Sequence, residues 1–373
     1  MLKCRNIFYI LFLLITIIFL YSCSKSTKYE LYTESTEGMF DTVHIIKGYA
    51  RNKKEFFEIF NKYESEMKKL DMLYNTYENF PGINNLKTVN DNAGIKEIKV
   101  DKSIIDLLES SIKWNKEIDS SVNIAFGPVI EEWEKKVVPS ENKLNELNKC
   151  TNIDDIVIDK YKSTVFLKKK CMKLNVGAVA KGYAVEYVAK KFENEGITSI
   201  LISAGGNIRV IGQRKEPRKD SEIKDLKSCK INFCVGVAPP IYNNKELDLN
   251  NPYIGYKEIV KVSVKDESVV TTGDYQRYFL ENGKIYNHVI STKTLKPVEN
   301  FSSVTVITKD SGIADFLSTT LFLVSKERGN EIINKLMRDK NIKIDAIWMD
   351  KNGKVTITDD LKNGDRYVLY KNK

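Results

Sequence analysis

Histidine is almost missing from this chain: only His44 and His288 occur in 373 residues. Cysteine is scarce too, with six residues at positions 4, 23, 150, 171, 229 and 234 and no CxxC pair among them. A metal centre built from several imidazoles or thiolates is thereby excluded. Cys150, Cys171, Cys229 and Cys234 lack the dense spacing of a disulfide scaffold, so they leave room for one bridge with partners unassigned. No internal repeat is visible, and nothing in the composition points to global disorder. What is present is 42% hydrophobic residues, enough in a chain of this length for one large or two ordinary domains with a sizeable core.

The net charge is +9, spread along a lysine-rich chain. That is weak ground for nucleic acid, and an anionic small molecule or a membrane surface is the better beneficiary. At the N-terminus Lys3 and Arg5 precede the apolar run IFYILFLLITIIFL, residues 7–20. The run suits the hydrophobic core of a signal peptide and is short for a spanning helix. LYSC, ending at Cys23, resembles the lipobox of bacterial lipoproteins, whose cysteine is acylated and becomes the new N-terminus. An uncleaved membrane anchor is the rival reading, and the small Ser22 directly before Cys23 favours cleavage. The expectation is a signal peptide over 1–22, a lipid anchor on Cys23, a polar tether over 23–37 and one domain over 38–373, held on the outer face of the cell membrane. Cleavage removes only Lys3 and Arg5 among the charges and leaves +7.

Downstream, MFDTVHIIKGYA reads as a strand, and KKEFFEIFNKYESEMKKLDMLYN has apolar residues at helical intervals. SIIDLLESSIKWNKEI, residues 103–118, predicts a second helix. LISAGGNIRVIGQ reads as strand, turn, strand across Gly205 and Gly206, and residues 214–230 as a charged surface loop. INFCVGVAP, EIVKVSVKDESVVTT and SSVTVIT read as strands. Asn282-Gly283 and Asn352-Gly353 mark hairpin turns, and IADFLSTTLFLVS reads as a buried helix. Strands and helices in mixed order, without steady βαβ alternation, predict an α+β fold with mixed or antiparallel sheets and packed helices.

The chemistry is expected around NVGAVAKGYAVEYVAKKF, residues 175–192. A strand ending near Val176, a turn over Gly177 to Gly182 and a helix from Tyr183 would set Lys181 and backbone N–H groups at a helix N-terminus, where an anion is favoured. The pattern is neither a P-loop nor a Rossmann fingerprint. Asp315 and Thr319 are four apart on the buried helix and share a face, so carboxylate and hydroxyl can reach one hard cation. A buried, unpaired Asp315 would be costly, which favours a metal or hydrogen-bond role. Thr319 taken alone is more often a core hydroxyl satisfied by the preceding turn, and only its spacing to Asp315 makes the ligand reading its equal. His288, on a strand following a hairpin, reads by itself as a packed histidine. His44, on the first strand with no partner motif, is given no role.

These stretches stand in company. The lysine motif, GGN at 205–207, TTGDYQRYF at 271–279, NHVIST at 287–292 and SSVTVIT followed by ADFLSTTLF occur in order, and together they resemble the ApbE family of FAD:protein FMN transferases. MFDTVHI, YNTYENFPGINNL and DSSVNIAFGPVIEEW extend the resemblance over nearly the whole chain after the tether. It implies an ApbE-like, T-fold-related architecture and the splitting of FAD at its diphosphate. FMN would pass to a threonine hydroxyl of a target protein, and AMP would leave. It implies Mg²⁺ held by Asp315, Thr319 and the backbone carbonyl of Ala178, with His288 as base, Asp315 also essential to catalysis, and Lys181 as counter-charge to the diphosphate. Flavin contacts carry over to Met39, Tyr77, Ser121, Val122, Asn123, Asn175, Lys181 and Ile290. Thr272, Gly273 and Asp274 would form either a loop beside the diphosphate or a plain turn.

The chain departs from the family pattern at four places. Asn175 and Asn123 stand where aspartate is usual, Ser291 and Thr292 replace an Asp-Pro pair after His288, and MFDT replaces M-G-T. Three functions therefore remain open: flavin transfer to a threonine-bearing segment of a membrane or extracellular redox system, Mg²⁺-dependent FAD hydrolysis to FMN and AMP, and flavin binding without catalysis.

Overall fold

The computed structural model describes residues 28–223, 225–241, 257–363 and 365–370. The expected signal segment 1–22 and the lipidation residue Cys23 lie outside the described residues. The strands are β1 (Glu30–Met39), β2 (Thr42–Ala50), β3 (Ile98–Lys99), β4 (Ile156–Asp159), β5 (Thr164–Leu167), β6 (Ile200–Ala204), β7 (Asn207–Ile211) and β8 (Phe233–Val237). They continue with β9 (Val260–Val264), β10 (Ser268–Gly273), β11 (Tyr278–Glu281), β12 (Lys284–Asn287), β13 (Ser303–Thr308), β14 (Asp345–Met349), β15 (Val355–Ile357) and β16 (Tyr367–Leu369).

Eight strands form one sheet in the order β1-β2-β6-β7-β10-β13-β14-β15, and every neighbouring pair in it is antiparallel. Side chains alternate between its faces, and both faces are covered. Val270, Val304, Val306 and Ala346 pack under the helices Ser311–Leu323 and Lys326–Lys340. Val269, Ile307 and Ile347 meet Val235, Val260 and Val262 of a second sheet, β16-β9-β8. The molecule is thus layered as helices, large sheet and small sheet, which is the expected α+β class.

Local chemistry explains the helices nearest the site. In Lys53–Tyr74 the Asn52 side chain accepts the N–H of Glu55, a cap contributing about 1 kcal/mol. Its buried Phe56, Phe60, Tyr63, Met67, Leu70 and Tyr74 recur at three- and four-residue steps and fill the largest core. Ser311–Leu323 is capped by Asp310 and buried on nearly all sides, so Asp315 and Thr319 are fixed by packing rather than by propensity.

Four expectations need correction. The stretch expected as tether up to residue 37 is strand from Glu30 onward, because β1 finds a full antiparallel partner in β2. MFDTVHIIKGYA is no single strand: Phe40 and Asp41 have φ of 49° and 51° and turn β1 into β2. EIVKVSVKDESVVTT splits at Asp266, φ 52°, into β9 of the small sheet and β10 of the large one. Two disulfides form instead of one, Cys150–Cys171 and Cys229–Cys234, each with Cα atoms 5.7 Å apart. The second pins the end of the charged 214–230 loop, where Cys229 is buried.

Candidate functional site

The lysine motif folds differently from its sequence reading. No strand precedes it beyond a single bridge from Lys173 to Phe126, and the helix starts at Ala180 and runs to Asn194. Lys181 and Gly182 therefore lie in its first turn. A Cβ on Gly182 would sit 2.4 Å from the Asp315 Cβ and 2.5 Å from the Ser311 carbonyl oxygen. Only glycine lets the helices Ala180–Asn194 and Ser311–Leu323 approach this closely.

That approach redirects one hydrogen bond. In the helix the Gly182 N–H would be due to the Ala178 carbonyl, four residues back, as the Tyr183 N–H goes to Val179. Instead it donates to Asp315 Oδ2 at 2.7 Å, which leaves the Ala178 carbonyl clear of that bond. Asp315 is only 7% exposed. Burial pushes its carboxyl up to about 6, against the pull of the Lys181 ammonium and the Gly182 N–H. Thr319 lies one turn on, its Oγ1 3.2 Å from the Thr272 hydroxyl at the end of β10, which also meets Ser318 Oγ at 2.8 Å. Ala178, Asp315 and Thr319 thus offer a carbonyl, a carboxylate and a hydroxyl, an all-oxygen donor set that suits Mg²⁺ or Ca²⁺. Among the described residues no group of three or more His, Cys, Asp or Glu side chains competes with it for a metal ion.

Lys181 reaches across to donate from Nζ to the Gly205 carbonyl at 2.9 Å. Burial lowers its pKa, the Asp315 carboxylate opposes that shift, and Arg277 adds to it. His288 stands at the foot of the β11–β12 hairpin. Its backbone N–H donates to the Arg277 carbonyl at 3.1 Å, and its Nδ1 lies 3.0 Å from the same oxygen. A carbonyl can only accept, so Nδ1 carries the proton and Nε2 keeps its lone pair. His288 is solvent-exposed as a residue, while neighbouring groups partly desolvate its ring. Those neighbours, with the cations of Arg277 and Lys181, hold its pKa below the usual imidazole value. A neutral histidine with a free Nε2 is what a general base requires.

On the other wall, Tyr77 is 56% exposed. Its hydroxyl donates to Glu134 Oε1 at 2.7 Å and lies 3.4 Å from Asn175 Nδ2. Asn175 also accepts the Gly177 N–H at 3.0 Å and sends its own N–H to Ile124. Asn123 donates to the Thr151 carbonyl and accepts the Ala125 N–H, both at 2.8 Å. Each of these two amides donates and accepts at once, which an ionised aspartate could not do; that accounts for asparagine at both positions.

The structure brings Lys181 and Gly182 to Asp315, with Thr319 one turn on along its helix and Ala178 four residues before Gly182, and it brings Asn175 to Tyr77. It keeps other side chains out of reach: Met39 is 1% exposed, Val122 5%, Ser121 6% and Ile290 7%. Met39 belongs to the main core and Ile290 to a cluster with Phe126 and Trp133, while Ser121 Oγ donates to Asp119. These four residues are buried as a whole, so neither side chain nor backbone presents an open surface there. Thr272 and Gly273 end β10 rather than forming a loop, and Asp274 is buried in an ion pair with Lys351. His44 is 0% exposed, its Nε2 3.0 Å from the Met39 carbonyl and its Nδ1 2.6 Å from the Tyr63 hydroxyl. Sequence reasoning missed Glu134 and Arg277. Arg277 lies within TTGDYQRYF, and Glu134 follows IEEW directly.

Known proteins match this chain over most of its length. The family model described as "ApbE family" matches residues 38–344. The FAD:protein FMN transferase of Klebsiella pneumoniae is 25% identical over 310 residues, 81% of this chain and 87% of that protein. The one of Treponema pallidum is 26% identical, covering 71% and 74%. Among solved structures, the ApbE protein of Thermotoga maritima superposes with a TM-score of 0.69 at 21% identity, over 91% of this chain and all of that one. Vibrio cholerae flavin transferase ApbE gives 0.69 at 20% identity, over 90% and 99%. A family model spanning most of the chain, on a fold shared almost end to end, shows that this chain belongs to the ApbE family.

Proposed function

We propose that the protein is a Mg²⁺-dependent flavin transferase that moves FMN from FAD to a threonine hydroxyl of a protein acceptor and releases AMP. The observation that carries this reading is the capture of the Gly182 N–H by Asp315, which clears the Ala178 carbonyl to serve beside Asp315 and Thr319. Bound Mg²⁺ would supply charge neutralisation on the diphosphate. Lys181, next to that oxygen set, would hold the diphosphate from the opposite side. His288 would take the threonine proton at Nε2 as the threonine oxygen attacks the flavin-side phosphorus. The bond from that phosphorus to the bridging oxygen breaks, and AMP leaves with the oxygen. Arrangement and charge, rather than a protein nucleophile, would carry the acceleration. Tyr77, Asn123 and Asn175 would frame the flavin.

The names of the relatives support FAD as donor and a protein as acceptor. An acceptor in a membrane or extracellular redox system fits a lipid anchor on Cys23 outside the cytoplasmic membrane. The solvent exposure of His288 favours a second reading, in which water takes the place of threonine and FMN is released free. Incubation with FAD, Mg²⁺ and a threonine-bearing acceptor separates the two: a fluorescent covalent adduct with stoichiometric AMP is expected, and free FMN alone would replace transfer by hydrolysis. Intact FAD after long incubation would remove both.

A further inference from the structure

Arg277 is a cation at the cleft with only a weak hold on its ion-pair partner. That partner is Asp41, at 3.7 Å, with the two side chains 62% and 86% exposed. Exposed pairs of this kind contribute about 0–1 kcal/mol, so the guanidinium gives up little on leaving. Its backbone, by contrast, is fixed. Tyr278 pairs with Asn287 in the β11–β12 register, and the His288 N–H donates to the Arg277 carbonyl, so Arg277 and His288 oppose one another across the hairpin foot. Opposed residues project from the same face with Cβ atoms about 5 Å apart. The face is the one carrying Phe279 and Tyr286, which pack against Trp133 of the helix Gly127–Glu134. Arg277 therefore sits on the hairpin face beside His288, near enough for its charge to act on His288, Tyr77 and Glu134. Its charge also reaches Lys181, whose ammonium it helps to depress.

Lys181 has the Asp315 carboxylate beside it, whereas Arg277 has only a loose, exposed hold on Asp41, so Arg277 is the cation with charge to spare for a bound anion. We propose that Arg277 is a phosphate-binding residue whose guanidinium leaves Asp41 and takes an oxygen of the flavin-side phosphate of FAD, across from Lys181. The inference rests on the reading of this cleft as an FAD site. An arginine fork holds a phosphate oxygen pair more directionally than a second lysine could. Placed beside His288, it would orient the phosphorus toward the attacking hydroxyl. Asp41, on the turn between β1 and β2, is the competitor that occupies Arg277 when no phosphate is bound.

The test is flavin binding by the full chain in detergent, followed by fluorescence quenching with and without Mg²⁺ and without acceptor. The ligands are FAD, FMN and phosphate-free riboflavin. Arg277→Gln is expected to weaken FAD and FMN about tenfold and to leave riboflavin unchanged, with Arg277→Lys in between. Asp41→Asn, which removes the competitor, is expected to tighten FAD about twofold to fivefold and keeps the inference falsifiable if the Arg277 variants fold poorly. Unchanged FAD affinity in Arg277→Gln, an equal loss for riboflavin, or unchanged FAD affinity in Asp41→Asn would each overturn it. A wild-type chain that fails to bind FAD at all would remove the cleft reading itself.

Discussion

Two side chains whose pKa values are pushed in opposite directions define the site at the scale of residues. His288 gains a fixed tautomer from the Arg277 carbonyl, so its replacement should strike the proton transfer and spare binding. His288→Asn is expected to lower the transfer rate by about 10²–10⁴ while FAD affinity stays near wild type, read by adduct fluorescence against a binding titration. Asp315 has the reverse difficulty: its folded pKa, pushed up to about 6, lies above the usual carboxyl value of about 3.9. Between those values the folded state binds the extra proton, so the stability of the metal-free protein should rise as pH falls from 7 toward 4. Metal binding needs the carboxylate and should weaken over the same fall. Melting in EDTA and Mg²⁺ titration at pH 7.5 and 5.5 check both signs. Asp315→Asn is expected to abolish the Mg²⁺ response and to flatten the pH dependence of the EDTA melt.

Elements bring distant parts of the chain to these residues. The Cys150–Cys171 bridge closes a separation of 21 residues beside Thr151, whose carbonyl holds Asn123. Opening a loop of that length costs about 3 kcal/mol in chain entropy. Replacing both cysteines with serine is expected to lower the melting temperature by several degrees and to weaken FAD binding through the loosened Asn123 segment, with chemistry on bound FAD unaffected. Periodicity and turn chemistry made most elements readable. The helix Lys53–Tyr74 and the turns at Asn282-Gly283 and Asn352-Gly353 stand where apolar spacing and Asn-Gly pairs put them. The strands around Asp41 and Asp266 were misread because nonglycine residues adopt positive φ there. Local propensity disfavours such turns, and strand pairing imposes them.

Across the whole molecule, one buried ion pair ties the sheet to the helices. Arg209 on β7 is 0% exposed, with Nε 3.1 Å from Glu186 Oε2 and Nη2 2.7 Å from Glu193. Glu186 Oε2 in turn accepts the Ser311 N–H at 2.8 Å, at the start of the helix carrying Asp315. Removing the arginine strands a buried carboxylate, so Arg209→Met is expected to cost about 3–5 kcal/mol, measured by denaturant unfolding, and to be partly rescued by Glu186→Gln. The α+β class, most elements, the Asp315–Thr319 spacing and the family resemblance were all present in the linear chain, since they depend on composition, period and short motifs. The redirected Gly182 bond, the His288 tautomer, the cysteine pairing and the burial of Met39, Ser121, Val122 and Ile290 were not. Each depends on contacts between segments far apart in the chain, and only close packing of the folded layers selects among the partners a sequence leaves open.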